Sequence, residues 1–295
     1  MIIIKFFCNW ATDEEILNTI LTSYDWNIDP NYKSKYSFSC KKDYTHAIVL
    51  NCTSSPINLP KDYIIGTTQE PPQLINYTSQ RFIYYVNNNF KSFLVPNKFN
   101  LQLPFKQSFT YMLPHINHLK VREMISNYPE KKHLMNYVYS KKNDNPNLLY
   151  YYRHVLGNNI LFHKKNIDIY GSATTHLKKM YVSENIKDKF DWEQVSNIYK
   201  DYKFSIVIEN SRNINYFSEK LIIPLLCGCT PLYLGCTNIE TYFPNQIIHL
   251  SGNINTDLSI INDVLINPNK YYKKINIKKV AELIHMKNLI NNEFI

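Results

Sequence analysis

Glycine is scarce in this 295-residue chain, limited to Gly66, Gly157, Gly171, Gly228, Gly235 and Gly252. Neither the GxGxxG dinucleotide fingerprint nor the GxxxxGK[ST] phosphate loop is present. Each glycine beside a strand-like run therefore marks a tight turn or a close backbone approach. Arginine is scarcer still: only Arg81, Arg122, Arg153 and Arg212 occur, so lysine carries the formal net charge of +9. Readers of base edges rely on arginine, and this composition argues against a sequence-specific nucleic-acid partner. No CxxC pair occurs among Cys8, Cys40, Cys52, Cys227, Cys229 and Cys236. Cys227 and Cys229 lie in an apolar run and read as small core residues rather than metal ligands. His115 and His118 could face one way on a helix, but no acidic or thiol partner stands near them. No metal and no cofactor are therefore expected. No apolar run approaches the roughly 20 residues of a membrane span, and MIIIKFFCNW is followed too soon by Asp13, Glu14 and Glu15 to be a signal peptide. Free thiols in the cytoplasm are the expectation, and the sequons at Asn51 and Asn76 are read as chance.

What is present is a globular composition, 44% hydrophobic and 14% aromatic, which excludes a disordered chain. Strand-like runs alternate with helical ones, the pattern of a doubly wound α/β protein. Strands are predicted at 2–7, 46–52, 62–68 and 81–86, with a helix from Asp13 to Tyr24. A Pro- and polar-interrupted stretch from 104 to 132 is taken as the domain boundary, giving a first domain of 1–130 and a second of 131–295. The second half predicts strands at 134–140, 166–171, 203–210, 230–235 and 246–251. Its helices are predicted at 148–157, around 192–199, at 218–228, around 256–266 and at 277–291. Two Rossmann-like halves fit this order, and alternation alone also fits one large sheet.

The densest cluster of functional residue types is 202–235, YKFSIVIENSRNINYFSEKLIIPLLCGCTPLYLG. A buried strand would deliver Glu209 and Asn210 to its carboxyl end, where open α/β sheets bind ligands. Ser218 reads as the N-cap of a helix with Glu219 and Lys220 in its first turn. Free N–H groups there suit a phosphate. A lysine in that turn opposes the helix dipole; it is read either as neutralising a diphosphate or as an ordinary solvated lysine.

This segment resembles the α-1,3-fucosyltransferase family, glycosyltransferase family 10. The residues that carry the resemblance are Glu209-Asn210-Ser211, Tyr216-Phe-Ser-Glu219-Lys220 and Pro231-Leu-Tyr233-Leu-Gly235, with Tyr242-Phe243-Pro244 downstream and NIDIYG ending at Gly171 upstream. It is specific over about 166–251 and thinner over 62–165. The resemblance implies a GT-B-like fold of two facing Rossmann-like domains with a cleft between them. It also implies an inverting, metal-independent transfer of a sugar, first of all L-fucose from GDP-fucose, onto a glycan hydroxyl. The absence of D-x-D agrees with the lack of a metal–diphosphate clamp.

Carried over by residue, the resemblance implies that Lys220 meets the diphosphate and Glu219 the ribose hydroxyls. Tyr216, Asn210 and Glu209 would belong to the sugar–diphosphate pocket. Glu70, in DYIIGTTQEPPQL, would be the general base, with Pro71 and Pro72 ending its strand and starting the next helix. One position departs: Leu148 stands where the family has a diphosphate-binding Arg, which leaves Arg153, or Lys141 and Lys142, to take that part. Three other readings accompany this one: a different deoxy- or amino-sugar donor, a catalytically silent nucleotide-sugar or glycan-binding relative, and a basic nucleic-acid-binding protein. The lysines at 270, 273, 274, 278 and 279 could touch an anionic membrane surface or form a solvated helix face.

Overall fold

The structure is a computed structural model that describes all residues except 29–31, 112, 114–115, 141–147, 164–165 and 172–191. Lys141, Lys142 and His115 lie outside the described residues. The chain forms two compact units. Unit 1 holds Met1–Leu119, Asn213–Ser218 and Glu282–Ile295; unit 2 holds Lys120–Arg212 and Glu219–Ala281. The expected division placed a single cut at 130, whereas these units divide at 119 and return two later segments to unit 1.

Unit 1 opens with β1 (Ile2–Phe7), α1 (Asp13–Ser23), a single turn α2 (Tyr32–Lys35), β2 (Tyr36–Phe38), β3 (His46–Leu50) and β4 (Ile64–Thr67). It continues with α3 (Gln80–Asn89), β5 (Ser92–Val95) and β6 (Phe105–Gln107). All pairings are parallel, in the order β2-β1-β3-β4-β5-β6. Helix α1 begins where Thr12 and Glu15 cap each other reciprocally, Thr12 N to Glu15 Oε2 at 2.9 Å and Glu15 N to Thr12 Oγ1 at 3.3 Å.

Three expectations for this half change. Residues 81–86 form a helix rather than a strand, because Ser79 caps Phe82 N at 3.3 Å and burial follows Phe82, Val86 and Phe90 at intervals of four. A six-residue aromatic window had hidden that period. The stretch 104–132 is not a bare boundary: it contains β6 and the helix α4 (His118–Ser126). Pro71 and Pro72 open a turn, closed by Leu74 N to Pro71 O at 2.9 Å, and the next helix starts only at Gln80.

Unit 2 contains β7 (His133–Val138), α5 (Tyr150–Phe162), β8 (Asp168–Tyr170), α6 (Trp192–Lys200), β9 (Tyr202–Ile208), α7 (Glu219–Leu226), β10 (Thr230–Leu234), β11 (Ile248–His249) and α8 (Ile254–Ile266). A short α9 (Pro268–Tyr271) and α10 (Ile277–Ile284) follow; the helix predicted at 277–291 then breaks and resumes as α11 (Lys287–Phe294). The sheet is again parallel, in the order β11-β10-β9-β7-β8. Strand alternation separates its faces. Met135, Tyr137 and Tyr139 join Leu156 and Ile160 of α5 and Ile261 and Val264 of α8 in one core. Asn136 points the other way and donates to Ile198 O of α6 at 2.6 Å. Gly171, ending β8, adopts φ 140°, and a Cβ there would sit 1.6 Å from Tyr139 O, so glycine is required.

The helix break matters to unit 1. His285 is 2% exposed beside the rings of Tyr24 and Trp26. Its Nδ1 accepts from Lys287 N at 3.0 Å, so Nε2 carries the proton and donates to Asp25 O at 3.1 Å. Burial, ahead of the charge of Lys287, pushes its pKa down from 6.5 to about 4. The folded state thus holds His285 neutral while the unfolded chain binds a proton below pH 6.5. Stability is complete above pH 6.5 and falls as pH drops toward 4, by up to about 3 kcal/mol. Urea unfolding followed from pH 7.5 to 4 should show this slope in the wild type and a flatter one in His285→Phe.

Candidate active site

In unit 2 the chain turns from β7 outward to β8, then back across β7 to place β9 on its other side. The strand order therefore reverses between β7 and β9, and the carboxyl ends at such a switch point are where open parallel sheets hold ligands. β9 delivers Glu209 and Asn210 there. Glu209 N bonds Leu234 O at 2.9 Å, prolonging the β9–β10 ladder, and the side chain is fully buried. Its carboxylate meets the Tyr233 hydroxyl, which accepts from Cys236 N at 2.9 Å and so donates to Glu209. Burial and that carboxylate together hold the Tyr233 hydroxyl far above its ordinary pKa.

Asn210, 3% exposed, ties the site to α5 twice. Its carbonyl accepts from Leu149 N and its Oδ1 from Arg153 Nη2, both at 2.8 Å. Arg153 is itself 3% exposed; its guanidinium lies 5.2 Å over the Tyr150 ring, and its carbonyl accepts the Tyr137 hydroxyl at 3.0 Å. Arg153 Nε, also buried, has no hydrogen-bond partner. An unpaired buried N–H on a cation costs about 1–3 kcal/mol and calls for an explanation. An anionic oxygen arriving at the switch point would provide one.

Glu219 and Lys220 begin α7. Lys220 Nζ lies 2.6 Å from Glu219 Oε1, and the two side chains keep 30% and 20% exposure for Lys and Glu respectively. Burial works against the ammonium, but Glu219 and then Glu209 more than offset it, and the lysine pKa is raised despite Arg153. Lys220 therefore stays charged throughout the neutral range. Unit 2 thus brings Glu209, Asn210, Arg153, Glu219 and Lys220 together, with Glu219 and Lys220 reaching solvent and the other three behind them.

Tyr216 and Glu70 belong to unit 1. The segment 213–218 is fastened there by Asn213 Nδ2 to Gln73 Oε1 at 3.0 Å, Asn215 Nδ2 to Pro96 O at 2.8 Å and Thr110 Oγ1 to Phe217 O at 2.5 Å. Phe217 stacks on Phe109 with centroids 5.5 Å apart, and Tyr216 is fully enclosed. Glu70 follows β4 and is half-buried, with its N–H on Thr68 Oγ1 at 3.1 Å and its carbonyl accepting that hydroxyl at 2.6 Å. Sequence reasoning missed Thr68 and the orienting part of Tyr233, because each acts through a partner that is remote or held by backbone.

Elsewhere, the thiol of Cys229 donates to Tyr199 O at 2.9 Å, and burial pushes its pKa up to about 12. That fits a core residue. His118 Nδ1 lies 2.9 Å from Thr22 O. Among the described residues no group of three or more His, Cys, Asp or Glu could hold a metal ion, and no helix is long and apolar enough to cross a membrane. Three of the clustered lysines hold local structure: Lys270 pairs with Asp263 at 3.1 Å, Lys273 Nζ donates to Ile247 O at 3.3 Å, and Lys274 lies 5.3 Å over the Tyr128 ring.

Two parallel-sheet α/β units of this kind are the GT-B fold, and solved structures share it. An α1,3-fucosyltransferase with GDP matches with a TM-score of 0.56 at 15% identity, covering 97% of this chain and 89% of that one. An α-glucosyltransferase in complex with UDP and a 13-mer DNA matches with a TM-score of 0.54 at 10% identity, covering 99% and 100%. Residues 125–259 match the family model described as glycosyltransferase family 10 (fucosyltransferase), C-terminal, which encloses the motif region 166–251. GDP-fucose protein O-fucosyltransferase 3 of Xenopus tropicalis is 33% identical over 80 residues. That alignment spans 27% of this chain and 17% of the frog protein.

Gly235, at the end of the matched strand, supports the buried carboxylate. A Cβ there would lie 2.4 Å from Glu209 Cγ and 2.4 Å from the Tyr233 hydroxyl. Gly235→Ala should destabilise the protein by about 1–3 kcal/mol through this overpacking, read as a lowered midpoint in chemical denaturation.

Proposed function

We propose that this chain is an inverting glycosyltransferase that moves a sugar, L-fucose from GDP-fucose first of all, onto a glycan hydroxyl without a bound metal. The observation that carries the reading is the cationic and hydrogen-bonding cluster of Lys220, Arg153, Asn210 and Glu219 at the unit 2 switch point, inside the family 10 match. Lys220 and the unpaired Nε of Arg153 suit a diphosphate whose charge grows as it leaves, and fixed cations in a low-dielectric site stabilise that charge strongly. The two oxygens of Glu219 suit a vicinal ribose diol. Glu209 acts from behind, keeping Lys220 protonated. Tyr216, fully enclosed within unit 1, is left out of the donor pocket in this reading.

Glu70 is the general base. It takes the proton of the acceptor hydroxyl while that oxygen bonds to the anomeric carbon, and the bond from that carbon to the diphosphate breaks on the opposite face. The frog relative is named for protein O-fucosylation, which makes a protein hydroxyl the second acceptor to include. The six free cysteines suit a reducing cytoplasmic setting. A silent, donor-binding relative is the second reading. It is favoured by Leu148, a buried apolar residue where the resemblance implies an arginine.

The test is calorimetry of GDP-, UDP-, CMP- and dTDP-sugars, with and without EDTA. GDP-fucose binding should survive EDTA and weaken about 10- to 100-fold in Lys220→Ala, the cost of a charged hydrogen bond. Failure of every nucleotide sugar to bind would overturn the proposal. Glu70→Gln should lower turnover about 10²- to 10⁴-fold with donor affinity unchanged. Donor binding without transfer or hydrolysis by the wild type would instead favour the silent relative.

A further inference from the structure

Asn51, the first residue after β3, adopts φ 65°, a left-handed conformation that asparagine tolerates better than most side chains. Cys52 N bonds Leu50 O across it at 2.9 Å, closing a three-residue turn of the γ type, whose positive-φ form is rare and strained. Strain of this kind persists where the surroundings impose it, often at functional sites. Here the turn places two groups of one residue on the loop that carries Glu70. Asn51 N donates to Thr67 O at 2.8 Å, and Asn51 Oδ1 accepts from Gln69 N at 2.6 Å.

The residue between those contacts is held from the other side. Thr68 N bonds Leu94 O of β5 at 3.1 Å, and Gln69 Nε2 bonds Tyr111 O at 3.2 Å. The sheet's backbone hydrogen bonding thus runs one residue past the end of β4, and side-chain hydrogen bonds hold the next residue, Gln69. Thr68 and Gln69 stay buried, and Glu70 is the first residue of the loop to reach solvent. Of these contacts, the one from Asn51 Oδ1 depends on a side-chain acceptor that a glycine or alanine would remove, leaving the Gln69 N–H unpaired.

We propose that Asn51 is a positioning residue for the proposed base: its strained turn and its side-chain carbonyl clamp residues 67–69 and so set the carboxylate of Glu70. This rests on the reading of Glu70 as the general base. A base displaced by about 1 Å loses on the order of 100-fold in rate, and such a loss falls on turnover rather than on donor binding in unit 2.

Asn51→Gly removes the clamp while relieving the backbone. Asn51→Asp restores an acceptor and adds a like charge near Glu70, which raises the carboxyl pKa. With GDP-fucose turnover to GDP as the assay, Asn51→Gly should lower kcat about 10- to 100-fold, leaving KM for GDP-fucose and the unfolding midpoint near wild type. Asn51→Asp should recover kcat at high pH to within about threefold, with the acid limb of its pH profile moved upward. Unchanged kcat in Asn51→Gly, or no recovery in Asn51→Asp, would overturn the inference. So would a Glu70 carboxyl titration by ¹³C NMR that is identical in Asn51→Gly and wild type, a readout independent of turnover. Glu70→Gln measured alongside separates the two ideas: full turnover there strikes the base assignment, not the clamp.

Discussion

A parallel sheet cannot be joined by hairpins, so each strand of unit 2 leaves through a crossover, and the crossovers after β7 and β9 lead to opposite sides. The carboxyl ends at such a parting are where open parallel sheets hold ligands. The residues that line this gap come from positions far apart in the chain: Asn210 after β9, Arg153 on α5 and Lys220 on α7. Their placement depends on the reversal. A sheet wound in one direction only would pass its connections over the same edge and leave no room for a ligand.

Electrostatics then sorts the residues by depth. Glu209 and Arg153 are buried charges of opposite sign, each anchored by a neutral partner: Tyr233 donates to the first and Asn210 accepts from the second. Buried charges survive only when paired or hydrogen-bonded. In front of them Lys220 and Glu219 keep contact with solvent. The buried pair acts on Lys220 in opposite senses, and the two carboxylates prevail. The unsatisfied Nε of Arg153 marks a direction in which this arrangement is incomplete.

Much of this was legible beforehand where the signal was local. The strands at 203–210 and 230–235 read as continuous apolar runs because both faces are covered, and the spacing from Glu209 to Gly235 carried the family resemblance. The strand assignment for 81–86 failed because Tyr84 and Tyr85 fill a short aromatic window, while the four-residue period runs on to Phe90. Strands β2, β5 and β6 were missed because three or four residues make no pattern of their own and are recruited by register with longer neighbours. Unit membership of 213–218 and 282–295 was equally unreadable. It follows from where Asn215, Phe217 and Met286 bury themselves, and burial is a property of partners distant in sequence.

The sequence by itself determined the alternation of elements, the motif residues and the likeness to a nucleotide-sugar transferase. These are short-range facts, written in periodicity and spacing. Only the tertiary structure decided that Arg153, one turn beyond Leu148, lies against Asn210, that Tyr216 packs within unit 1, and that Asn51 holds the loop of Glu70. Each of those depends on strand order and register, which bring together residues far apart in the chain, 57 positions for Arg153 and Asn210 and 140 for Asn213 and Gln73. Hydrogen bonds act over about 3 Å, and no local pattern records which distant partner will stand at that distance.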